Sequence, residues 1–116
     1  MFQYNTTIDR VIDGDTVKLN VDLGFNVSVI IDFRLLGINA PEVKGATRAT
    51  GMASTQHLMM LLAQGALTVM SSKPLKTDKY GRWLVDITVT RPDQTSFNAN
   101  QQMILDGFAD VYPVTT

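Results

Sequence analysis

Apolar and polar residues alternate along the first third of the chain. Residues 6–12 and 15–22 flank Asp13-Gly14-Asp15, and in the second stretch Val17, Leu19 and Val21 alternate with Thr16, Lys18 and Asn20. A period of two sends successive side chains to opposite faces, so both stretches are expected as half-buried strands. After a turn at Gly24, residues 26–36 set Val27, Val29, Ile31, Phe33 and Leu35 on one face against Ser28, Ile30, Asp32 and Arg34. Three strands joined by short turns predict a β-meander. Pro41 breaks the pattern and opens a loop through Gly45. Residues 48–64 lack proline and are rich in Ala, Met and Leu, which predicts a helix with Gly65 as its C-cap. Residues 66–71 and 82–90 read as further strands, and Arg91-Pro92-Asp93 as a turn. The spacing of Phe97, Ala99, Met103 and Ile104 predicts a last helix over 96–106, closing at Gly107.

The order βββ-α-ββ-α predicts a mainly β fold with helices (α+β), a five-stranded OB-type barrel with two appended helices. The length of 116 residues fits a single domain spanning 1–116. A hydrophobic content of 45% supports a real core. The longest apolar run, Leu58–Ala63, is far too short to cross a membrane. It covers most of a helix circumference, so part of it is expected in the core. The rest suggests contact with another chain, consistent with a homodimer. The start lacks the basic and apolar regions of a signal peptide, which leaves an intracellular protein or a processed secreted form. With no cysteine, neither a disulfide framework nor a thiolate metal site can form.

A net charge of −1 changes the picture for nucleic acid, because binding by bulk electrostatics needs a basic excess. Any such contact must be made by a few cations in one cleft. Six of the ten basic residues (Arg34, Lys44, Arg48, Lys76, Lys79 and Arg82) fall in or beside two segments with further chemical character. One is Phe33-Arg34-Leu35-Leu36-Gly37-Ile38-Asn39-Ala40-Pro41-Glu42, which carries the only glutamate of the chain and a proline that holds the loop extended. The other is Thr77-Asp78-Lys79-Tyr80-Gly81-Arg82. The third chemical segment, Asp13-Gly14-Asp15, reads as a hairpin turn or, if more oxygens converge there, as part of a hard-cation site. Phosphodiester hydrolysis requires this set of parts: a divalent cation, paired guanidinium groups for the phosphate and a carboxylate to take a proton from water.

Val11-Ile12-Asp13-Gly14-Asp15-Thr16-Val17-Lys18-Leu19, Phe33-Arg34-Leu35-Leu36 with Pro41-Glu42, and Thr77-Asp78-Lys79-Tyr80-Gly81-Arg82 together resemble the staphylococcal nuclease family. The likeness continues weakly through Gly107-Phe108-Ala109. It implies an OB barrel with packed helices and calcium-dependent cleavage of DNA and RNA. Carried over by motif, Asp15 would ligate Ca2+ directly, Asn39 would occupy the second ligand position, and Ala40 would offer its backbone carbonyl. Asp13 would arrange metal-bound water. Arg34 and Arg82 would hold the scissile phosphate and Glu42 would be the general base. Lys79, Tyr80 and Tyr112 would contact the substrate.

The chain departs from the family pattern at two site positions: Asn39 stands where aspartate is usual, and Ala40 where threonine is common. The first loses a negative charge, so weak metal binding is expected. The usual third helix has no counterpart before Thr116. His57 lies outside every motif and receives no role, and Trp83 is expected in the core. The rival to an active nuclease is a catalytically weak or inactive module on the same fold that binds nucleic acid or protein. Such a module has no chemical reason to keep Arg34, Glu42 and Arg82 together.

Overall fold

The computed structural model describes residues 2–71 and 81–112. An antiparallel meander of β1 (Phe2–Asp13), β2 (Thr16–Gly24) and β3 (Val27–Leu35) opens the chain. A short strand β4 (Ile38–Asn39) and a 3-10 turn (Gly45–Thr47) lead into α1 (Arg48–Leu62). Then follow β5 (Ala66–Ser71), β6 (Trp83–Thr90), β7 (Ser96–Asn98), α2 (Ala99–Leu105) and β8 (Asp110–Val111). β5 pairs with the first half of β1, β6 pairs with β5, and Phe33–Leu35 of β3 pairs in parallel with Trp83–Val85 of β6. That pairing closes the order β3-β2-β1-β5-β6 into a barrel. The result is the mainly β, five-stranded OB-type barrel with two helices that the sequence predicts.

Alternation explains the core. Val17, Leu19 and Val21 of β2, with Val85, Ile87 and Val89 of β6, point inward and are almost fully buried. Leu58, Leu61 and Leu62 of α1 and Met103 of α2 cap the barrel. Trp83 packs against this cluster, as expected. Within the apolar run of α1, Met59 and Met60 remain half-exposed. No helix among the described residues is long and apolar enough to cross a membrane.

Asn100 is a buried polar residue, and it fastens α2 to the barrel. Its Nδ2 donates to the carbonyls of Leu36 and Val85, each at 2.9 Å, and its Oδ1 accepts from Ile87 N–H at 3.1 Å. Pairing with β3 ends at Val85 and pairing with β7 begins at Thr88, so the side chain fills a gap in the ladder along β6.

Three features differ from the sequence reading. The expected helix over 96–106 is shorter, because Ser96–Asn98 extends the sheet beside β6. Asn98 then caps α2, its Oδ1 accepting from Gln101 N–H at 3.0 Å. α1 ends at Leu62 with Ala63 as C-cap, and Gly65 instead lets the chain pass against the backbone of Thr90. The third difference is in β3, where Phe33 and Leu35 are buried but Val27 and Val29 of the same face are exposed. β6 covers only the Phe33–Leu35 end, so the far half of the β2–β3 hairpin projects beyond the barrel. Its tip takes three consecutive residues through positive φ (Gly24, Phe25 and Asn26), with Phe25 wholly exposed.

Candidate active site

The site is built at the end of the barrel opposite that tip, where β1 turns into β2. β1 reaches the turn through two register irregularities, the second between Val11 and Asp13, and bulges of this kind bend a strand and re-aim its side chains. Gly14 sits between the two aspartates for want of space. A Cβ there would lie 2.7 Å from that of Ala40 and 2.8 Å from that of Ser54. Its absence lets the loop after β4 and helix α1 close directly onto the turn.

That approach brings Asp15, which is 6% exposed, against the backbone of the loop. Its Oδ2 accepts from Ala40 N–H at 2.9 Å and lies 3.3 Å from Nη1 of Arg34. Its Oδ1 accepts from the Thr16 hydroxyl at 3.0 Å, and the same hydroxyl accepts from Nη1 of Arg82 at 3.2 Å. Nη2 of Arg34 donates to Asn39 Oδ1 at 3.2 Å and to the Ile38 carbonyl at 3.0 Å. Arg34 and Asp15 are both largely buried, so their pairing is screened little by solvent. The parallel pairing that closes the barrel places Arg34 opposite Leu84, two residues along from Arg82.

Asp13 is the strongly perturbed group. Burial, then its hydrogen bond to Asp15 and repulsion from the Asp15 charge, push its carboxyl up to about 6. Its Oδ1 also accepts from Asp15 N–H at 3.2 Å, tying the two residues across the turn.

Tyr112 also joins the cluster. Its N–H donates to the Gly37 carbonyl at 2.8 Å, and the Arg34 guanidinium carbon lies 5.0 Å from its ring centroid. Glu42 stands apart: its carboxylate is exposed and pairs with Lys44 Nζ at 3.4 Å. Its backbone is nevertheless fixed, since Thr47 Oγ1 donates to its carbonyl at 2.7 Å. Gly51 of α1 also lies so close that a Cβ would collide with that carbonyl. Lys79 and Tyr80 lie outside the described residues. The structure thus gathers Asp13, Asp15, Asn39, Ala40, Arg34, Arg82 and Tyr112, and leaves the Glu42 side chain at the rim.

Thr16 is the site residue the sequence reading gave no role. Alternation places it on the polar face of β2, but it is buried and joins Arg82 to Asp15. Its adjacency to Asp15 was the signal available. His57, by contrast, belongs to a structural contact: its Nε2 lies 2.7 Å from Asp106 Oδ2 and its ring stacks on Phe108 at 4.1 Å. That contact, with a further hydrogen bond from Gln102, holds the Asp106 carboxyl below its usual range.

Among the described residues, no three His, Cys, Asp or Glu side chains gather as a metal cluster. The donor set is nevertheless hard throughout. Asp15 Oδ2 and Asn39 Oδ1 converge on the two terminal nitrogens of one guanidinium, which shows that both oxygens can face one cationic centre. These residues fit a hard cation bound by oxygen.

No curated protein sequence matches the chain. The family model described as staphylococcal nuclease homologue matches residues 32–116, well over half of the chain. The matched span begins after Asp13-Gly14-Asp15, but Arg34 and Ala40, both inside it, bind Asp15 directly. On that match, with the closed barrel and the cluster at its end, the chain belongs to the staphylococcal nuclease homologue family.

Proposed function

We propose that the chain is a calcium-dependent phosphodiesterase acting on DNA, RNA or both. The observation that carries this reading is the continuous chain Arg34–Asp15–Thr16–Arg82, which holds two guanidinium groups around one buried carboxylate at the open end of the barrel. Planar guanidinium groups bind phosphate oxygens two at a time, and a fixed pair stabilises the charge a phosphate gains during hydrolysis. Arg34 is oriented by four partners, Asp15, Asn39, the Ile38 carbonyl and the Tyr112 ring, so little reorganisation is needed when the phosphate arrives. Tyr112 lies beside it and offers a face to the nucleotide.

Asp15, Asn39 and the Ala40 carbonyl would hold calcium, with Asp13 orienting its water. The cation supplies Lewis-acid polarisation of a phosphoryl oxygen. Glu42 takes the proton of the attacking water, released from Lys44 when substrate enters. Its backbone is already pinned by Thr47, so only side-chain rotation is required. Lys79 and Tyr80 complete the contacts to a neighbouring phosphate.

The test is digestion of single-stranded DNA and RNA with calcium, magnesium or chelator. Arg34→Ala, Glu42→Ala and Arg82→Ala should each lower the rate on the order of a hundredfold or more, with Arg34→Ala also less stable because it leaves the buried Asp15 carboxylate without its charge partner. Near wild-type activity in both Glu42→Ala and Arg82→Ala would remove the proposed catalytic set. The rim position of Glu42 and its pairing with Lys44 favour a second reading, a nucleic-acid-binding module without cleavage. Substrate binding without digestion under every metal condition would select it.

A further inference from the structure

Position 39 leaves the proposed cation site short of charge. Asp15 is the clear carboxylate there, and an amide oxygen from Asn39 contributes a dipole where a charged ligand would bind more strongly. The short ladder behind the site contains a second acid. β4 and β8 pair antiparallel, with Ile38 opposite Val111 and Asn39 directly opposite Asp110.

Residues directly opposite each other project to the same face, with Cβ atoms roughly 4.5–5.5 Å apart. Asn39 and Asp110 are both exposed and Ala40 and Ala109 both buried, but Val111, opposite buried Ile38, is exposed too, so exposure alone does not set the face of β8. Tyr112 identifies the face independently. It lies two residues beyond Asp110, hence on the same side of an extended chain, and its ring rests beside the Arg34 guanidinium that binds Asn39 and Asp15. Asp110 is therefore on the face along which the site residues gather. Among the described residues, no hydrogen bond or ion pair engages its carboxylate.

We propose that Asp110 supplies the carboxylate that position 39 lacks, so that the hard cation is held by Asp15 and Asp110 with Asn39 adding a neutral oxygen. The charge of the site is kept, and it comes from the opposite strand of the ladder. This inference rests on the calcium reading given above. It adds that β8, through both Asp110 and Tyr112, is part of the working site.

Calcium binding to the intact chain by calorimetry tests the proposal without reference to activity. Wild type, Asp110→Asn, Asp110→Ser and the double variant Asn39→Asp/Asp110→Asn are compared, with thermal melting in chelator as the folding control. Both single variants should melt like wild type and bind calcium roughly tenfold or more weakly, since affinity follows the number of charged ligands. The double variant should recover most of the loss by returning the charge to position 39. Wild-type affinity in Asp110→Asn and Asp110→Ser would overturn the proposal and leave the nuclease reading intact. Weakened binding that the double variant does not recover would also overturn it, because the two positions would not then share one role. A wild-type protein that binds no calcium would instead remove the calcium reading, and this inference with it.

Discussion

Replacing Asn100 with leucine should remove a large part of the folding free energy without creating a cavity. The two side chains share a branched shape and the same number of heavy atoms, so no void opens, and the bulkier leucine gains burial energy at the cost of some crowding. What changes is polar satisfaction: Ile87 N–H and the Leu36 carbonyl lose the partner that Asn100 provides, while the Val85 carbonyl keeps the Leu36 N–H at 2.8 Å. Each buried group left unpaired costs about 1–3 kcal/mol, so the loss for the two is about 2–6 kcal/mol. Against a total of about 5–15 kcal/mol for a small domain, that is the difference between a stable and a marginal protein. Urea unfolding followed by circular dichroism measures it directly. With a slope of about 2 kcal/mol/M, the midpoint should fall by about 1–3 M. Asn100→Asp should be no better, since it turns a donor towards two carbonyls into an acceptor. A midpoint within about 0.3 M of wild type for Asn100→Leu would refute the reasoning, because the gap along β6 would then not need filling.

Two further outcomes follow from other parts of the molecule. Phe25 is fully exposed with φ of 54°, a conformation that costs an L side chain roughly 1–2 kcal/mol and here gains no packing in return. Phe25→Gly should therefore raise stability by up to about 1 kcal/mol after the added flexibility of the unfolded chain is counted, and a lower melting temperature would contradict this. The raised carboxyl of Asp13 gives a pH signature in metal-free protein. Its contribution to stability is fully present below its ordinary value of 3.8 and is lost as pH rises through about 6. Melting temperatures in chelator should show wild type losing ground to Asp13→Asn across that window, and parallel curves would refute it.

The barrel was legible where one physical rule dominates. Alternation in β2 and in β6 reports directly which face is buried, and both strands lie where the pattern places them. The same alternation in Val27–Ile31 was uninformative about cover, because apolar residues alternate alike whether or not a neighbouring strand reaches them. Ser96–Asn98 shows the other weakness. Three residues are too few to reveal a period, and pairing with Thr88–Thr90 outweighs local helical preference. Of the site, the motifs identified Asp13, Asp15, Arg34 and Arg82 as residues with chemistry to offer, but only the fold shows that Thr16 joins two of them. Asp110 could not be noticed at all from its sequence neighbours. Its meaning depends on facing Asn39 across a ladder between segments distant in the chain.

The closure of β3 onto β6 also dictates an order of assembly. The β1–β2–β3 meander needs only near neighbours, whereas pairing Phe33 with Trp83 requires a long loop to be drawn shut, a step that topology makes slow. Asp15 and Arg34 lie within the early part, but Arg82 enters only with β6. On the proposed function, a chain halted before closure holds one of the two guanidinium groups assigned to the phosphate, so competence cannot precede that long-range contact. Regain of the proposed phosphodiesterase activity during refolding should therefore come no earlier than the sealing of the barrel, whereas far-ultraviolet signals also follow the strands that form before it.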